Sequence, residues 1–182
     1  MNAQSPRFVT IAVKTIVTHT VTYMLMGVLA STLFDYRAWF AESELRLIMR
    51  QFGDPWIMAG PLFQPLRGLL FAFVFYLLRE QLFGRRRGWL VMWAMLVVIG
   101  ILSTFGPAPG SIEGMLYTIF PVGLHVAAWP EGLLQSLLLA WILCYWVDHP
   151  EKRWLSWLMG AVFLLVIAMI SMGLLVSGGA GG

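Results

Sequence analysis

Residues 154–176 contain no charged side chain, and this run limits the possible folds more than any other feature of the chain. About 20 apolar residues in a helix cross the ~30 Å hydrocarbon core of a bilayer, and this run is long enough. Further apolar stretches cover 8–34, 65–83, 89–104, 112–128 and 129–147. In lipid every backbone N–H and C=O must find its partner within the chain, so such stretches read as helices. Composition points the same way: 59% of residues are hydrophobic and 12% charged, against about a quarter charged in soluble domains. In water so apolar a surface would aggregate. The expected fold is all-α: a polytopic transmembrane bundle of about six spans. It forms a single domain over 1–176 with a flexible glycine-rich tail at 177–182.

The first run is too long for a signal-peptide core and shows no small-residue cleavage site before Asp35, so it reads as a retained span. The consecutive Arg85, Arg86 and Arg87, with Arg79 nearby, are the strongest topological signal. Positive charge marks the cytoplasmic side, which also places the N-terminus there. The net charge of +3 is then a matter of orientation, and nucleic acid is not an expected partner. Segment 112–128 is the ambiguous one, because at 1.5 Å per residue it reaches only roughly 25 Å. As a span it gives six crossings; as a re-entrant segment it gives five and gathers Lys152 and Arg153 with the arginine run. The compact Trp-Pro-Glu-Gly turn at 129–132 favours six.

Two stretches interrupt the apolar pattern. Within 35–54, Leu45, Ile48, Met49 and Phe52 recur at helical spacing, with Glu42 and Arg46 four apart, which predicts a short interfacial helix near 39–52 anchored by Trp39. Pro55, Pro61 and Pro65 then crowd 54–65, which predicts irregular backbone until a helix starts at Pro65. Residues 105–111, rich in proline and glycine, form a turn.

Ionisable and polar groups inside spans are costly, so each is a candidate for function. His19 lies mid-way along the first run, with Thr15, Thr22 and Tyr23 on the same helical face, a polar stripe suited to a water path or proton relay. The competing reading is a neutral histidine bonded across a helix interface. Arg67 and Gln64 open the second span, and Ser111 and Glu113 open segment 112–128; Arg50 and Asp54 are expected on the same side. An Arg67–Glu113 pair between two Pro/Gly loops would make an anion-binding pocket, with Ser111 as an N-cap and Glu113 favoured by the helix dipole. His125 and Glu131 flank the next turn, and six crossings put them beside Arg79 and Glu80 in the cytoplasm. Their spacing matches no metal motif, and no cofactor is expected. Cys144, the single cysteine, reads as a buried, inert thiol. Most of the nine tryptophans fall at span ends, as an aromatic belt would.

Three segments, Gln-Pro-Leu-Arg-Gly at 64–68, Arg-Gly-Trp-Leu at 87–90 and Gly-Pro-Ala-Pro-Gly-Ser-Ile-Glu-Gly at 106–114, resemble parts of a group of small bacterial polytopic membrane proteins. The resemblance spans about residues 50–147; it implies a bacterial inner-membrane protein and carries no activity. No nucleophile elbow, P-loop or zinc-protease motif is present. The leading functional expectation is a small channel or transporter for an ion, proton or small solute, with membrane lipid and a second copy of the chain as partners. The alternatives are an intramembrane enzyme or binder using Arg67 with Glu113 or His125 on an anionic lipid or an apolar substrate, and an accessory subunit of a larger complex.

Overall fold

The computed structural model describes residues 6–34, 44–47, 49–51 and 54–179, and every regular element among them is helical. Helix α1 runs Phe8–Leu33. A 3-10 turn at Glu44–Leu47 precedes a composite helix made of α2 (Pro55–Ala59), a 3-10 stretch (Gly60–Phe63) and α3 (Gln64–Leu77). Next come α4 (Arg79–Leu82) and α5 (Gly88–Val97), the latter extended by a π-helical turn at Val98–Leu102. Two short helices, α6 (Ile112–Tyr117) and α7 (Val122–Ala127), lead into α8 (Trp129–Asp148) and α9 (Arg153–Gly179). Among the described residues four stretches are long and apolar enough to cross a membrane: Phe8–Leu33, Pro55–Leu77, Val122–Asp148 and Arg153–Leu175; Gly88–Leu102 is apolar but shorter.

The proline-rich stretch is helical, not irregular. Pro55 takes a first-turn position, where its missing N–H costs nothing, and the Asp54 carboxylate caps the helix by accepting the Trp56 N–H at 2.8 Å. That bond, and then Arg50 at 3.0 Å, hold the Asp54 carboxyl below the ordinary carboxylate range. An α-helix through Pro65 would need an N–H that proline lacks. The turn tightens instead, and the Pro61 carbonyl is taken by the Gln64 N–H.

Segment 112–128, expected as a fourth span, is not one continuous helix. Helix α6 ends at Tyr117 and α7 begins at Val122. Pro121 explains the break, since it disfavours helical backbone at Phe120 before it. Six residues of helix, as in α6, reach only about 9 Å. The loops agree with this. The Gly84 N–H donates to Asp148 Oδ1 at 2.8 Å, so the arginine run and the turn after α8 share one end of the bundle, whereas six crossings would separate them. The interfacial helix expected near 39–52 falls mostly outside the described residues, which show only the 3-10 turn there. Helix α9 continues through residues 177–179, where the sequence predicts a flexible tail.

Helix α1 is the hub and packs on α3, α8 and α9, while α5 packs on α8. The α1–α3 contact is antiparallel: Phe8 meets Tyr76 edge-on at 5.3 Å, Ile16 meets Gly68, and His19 meets Gln64. Ile11, Ala72, Phe75, Leu82, Met92, Leu139 and Leu143 form the dry centre. Helix α9 lies outermost, with Trp157, Leu164 and Leu175 exposed, and is fastened by the Trp146 indole donating to Ser156 Oγ at 3.0 Å.

A Cβ at Gly68 would stand 2.8 Å from Ile16 Cα, whereas one at Gly27 would meet nothing within 4 Å. Gly68→Leu is expected to cost about 1–3 kcal/mol through overpacking, seen as a lowered thermal midpoint in detergent. Gly27→Leu should leave the midpoint unchanged, and equal effects from the two would contradict the packing described.

Candidate functional site

The polar face of α1 supplies the first components. Thr15, Thr18, His19, Thr20 and Thr22 are all essentially inaccessible. Thr22 bonds back to the Thr18 carbonyl at 2.8 Å, the usual way a helix absorbs a threonine. Thr15, Thr18 and Thr20 do not: their hydroxyls have no partner among the described residues. Such groups are exceptions that call for an explanation.

His19 is 1% exposed. Its Nε2 lies 3.1 Å from Gln64 Oε1. The Gln64 amide nitrogen in turn donates to the Gly60 carbonyl at 3.3 Å, which orients the amide and makes His19 Nε2 the donor. Phe71 packs edge-on against the imidazole at 4.9 Å. His19 Nδ1 has no partner among the described residues.

The imidazole lines a cavity of about 150 Å³ together with Arg67, Phe71, Gln135, Ser136 and the π-helical residues Gly100 and Ile101. Four elements therefore meet: α1, α3, the π-turn after α5, and α8. The Arg67 guanidinium lies over the Phe71 ring at 5.4 Å and within electrostatic reach of His19. Tyr23, one turn beyond His19, is in electrostatic reach of both Arg67 and Glu131. π-Turns occur often at functional sites because they re-aim a few residues without ending the helix. The arrangement can bind a small polar or anionic solute, or pass a proton through an imidazole. Among the described residues no group of three His, Cys, Asp or Glu side chains is placed to hold a metal.

Several sequence candidates belong elsewhere. His125 and Glu131 lie at the end of the bundle opposite Arg79, not beside it as six crossings require. His125 is fully buried, and its Nδ1 accepts the Gly110 N–H at 3.0 Å while Nε2 faces Thr118 Oγ1 at 3.4 Å. The Trp129 indole donates to the Gly110 carbonyl at 2.8 Å. Gly110 has φ +86°, a conformation that favours glycine. Ser111 caps α6 by accepting the Gly114 N–H at 2.9 Å. These bonds weld the 105–111 loop to the α7–α8 junction, which gives Ser111 and His125 architectural work. Glu113 is exposed, and among the described residues no ion pair joins it to Arg67. Arg50 is engaged by Asp54 and lies over the Trp56 ring at 5.8 Å.

The sequence reading missed Ser136, the π-turn and Lys14. Lys14 is a cation inside an apolar run, the same signal that identified His19; it donates to the Trp146 carbonyl and lies over that residue's ring at 5.3 Å. Compared with known protein families, curated proteins and solved structures, the chain matches none.

His125→Phe would remove the acceptor for the buried Gly110 N–H, at an expected cost of about 1–3 kcal/mol. Hydrogen exchange at the Gly110 amide should accelerate with it. An unchanged exchange rate would show that the bond contributes nothing.

Proposed function

We propose that this protein is a small channel or transporter of a bacterial inner membrane, whose solute or proton meets the cavity at His19 and Arg67. The observation that carries this reading is the fully buried histidine at the middle of an apolar helix, tied to Gln64 on one side and lining a cavity with a cation on the other. An imidazole there is costly, and such groups mark solute and ion paths. The unpartnered Thr15 and Thr18 hydroxyls extend the same polar face along α1 beyond the cavity. A polar face that continues along the helix beyond the cavity suits passage better than a single binding step.

The crossing pattern in this proposal is five: α1, the α2–α3 helix, α5 with its π-turn, α7–α8, and α9, with α6 re-entering from the far side. The N-terminal side of α1, the arginine run and Lys152 then share the cytoplasm, as the positive-inside rule prefers. The enzyme alternative needs Glu113 or His125 as acid or base beside Arg67, and neither lines the Arg67 cavity.

Purified protein in liposomes is expected to dissipate a proton, alkali-cation or small-anion gradient. Arg67→Ala and His19→Phe should each slow that flux at least about ten-fold, the loss of roughly 1.4 kcal/mol of stabilisation along the path. A bilayer that stays tight under every gradient would defeat the proposal. Single cysteines at Arg86 and Glu151, in a Cys144→Ser background, should react with an impermeant thiol reagent from the same face; labelling from opposite faces would restore six crossings.

A further inference from the structure

A larger cavity lies at the other end of the bundle and takes no part in the site above. It has a volume of about 600 Å³, within the range of small-molecule sites. Its charged lining comes from three separate parts of the chain: Lys14 on α1, Arg79 and Glu80 on α4 with Arg85 just beyond, and Asp148 at the end of α8. Phe83 and Val147, both nearly inaccessible, also line it and give it an apolar wall.

The charges are partly matched. Arg79 and Glu80 approach to 3.7 Å. One Asp148 oxygen is held by the Gly84 N–H. Lys14 donates to the neutral Trp146 carbonyl and lies over that ring; Asp148 and Glu151 are in electrostatic reach of it, but no carboxylate lies within ion-pair distance among the described residues. Three cations against two carboxylates leave one positive charge in the cavity. Depth matters as well. Lys14 lies roughly 9 Å along α1 from its first residue, so its ammonium is drawn up toward the headgroup layer. Trp89 and Trp154, at the starts of α5 and α9, mark that layer at the same end.

A loop of arginines that only oriented the protein would have no need to converge with a helix-borne lysine on one cavity. We propose that this cavity binds the phosphodiester headgroup of a membrane phospholipid. One phosphodiester carries one negative charge, the complement of the lining. Lys14 and Arg85 meet the phosphate, while the Phe83 and Val147 side takes the glycerol and the upper acyl chain. Basic pockets between helices on the cytoplasmic side are known to hold lipid headgroups in this way. The site is independent of whether the His19 cavity carries a solute.

Native mass spectrometry of the detergent-purified protein tests this, with phosphatidylglycerol, diacylglycerol and inorganic phosphate added in turn. A single phosphatidylglycerol adduct is expected, with none from diacylglycerol, which lacks the phosphate. Lys14→Met and Arg85→Gln should each reduce its occupancy about five-fold, as loss of one basic residue at a lipid surface does, while Lys14→Arg should retain it. Arg85 is an exposed loop residue, so its variant reports on binding even if Lys14→Met fails to fold. Equal adducts from diacylglycerol, occupancy unchanged in Arg85→Gln, or retention of inorganic phosphate without phospholipid would each overturn the proposal.

Discussion

Helices α1 and α3 touch backbone to backbone at Gly68 and Ile16, and much of the bundle is arranged by that approach. The absence of a side chain at Gly68 draws the two helices together where van der Waals contact, not the hydrophobic effect, must hold them. One turn farther along, the same closeness lets Gln64 reach His19. A wider crossing would leave the imidazole Nε2–H without an acceptor at membrane depth, where an unpaired polar group is most costly. The Arg67 position next to Gly68 follows from the same geometry: on α3 it falls at the edge of the contact, over Phe71, where it borders the cavity without being enclosed.

The far wall of that cavity is made differently. Helix α5 cannot keep α-helical register to its end, and its last turn widens so that the Ser103 N–H reaches back to the Val98 carbonyl. Gly100 and Ile101 are thereby turned toward α8, where a Cβ at Gly132 would come within 3.0 Å of Ile101 Cδ1. The two sides of the cavity thus both depend on glycine: at Gly68 main chain approaches main chain, and at Gly132 the Ile101 side chain takes the space a Cβ would fill. Side chains set the chemistry of the space, while the backbone sets its size.

The membrane class, the helical fold and the polar face of α1 were legible in the sequence because they are properties of single segments: length, apolarity and three-to-four spacing around His19. The break at Pro121 and the end of the bundle at which Asp148 lies were not, because the Gly84–Asp148 bond joins residues with no local signature. The proline stretch at 55–65 misled for a related reason: each proline removes one N–H, and a 3-10 turn accommodates the gaps that an α-helix would not. Candidate residues divided along the same line. His19, Gln64 and Arg67 came together because their spacing put them on facing helices. Ser111 and His125 turned out to serve the loop at Gly110, and Glu113 stands apart from Arg67, since no rule of spacing relates two loops that meet only after the bundle closes.

The bond partners of α1 also say something about how the chain is made. Helix α1 is synthesised ahead of all the helices it packs against. His19 waits for Gln64, 45 residues later, and Lys14 for the Trp146 carbonyl, 132 residues later. Until those segments arrive, neither the ammonium nor the imidazole has the partner it holds in the folded chain. Both bonds of α1 thus wait on later helices, the first on α3 and the second on α8.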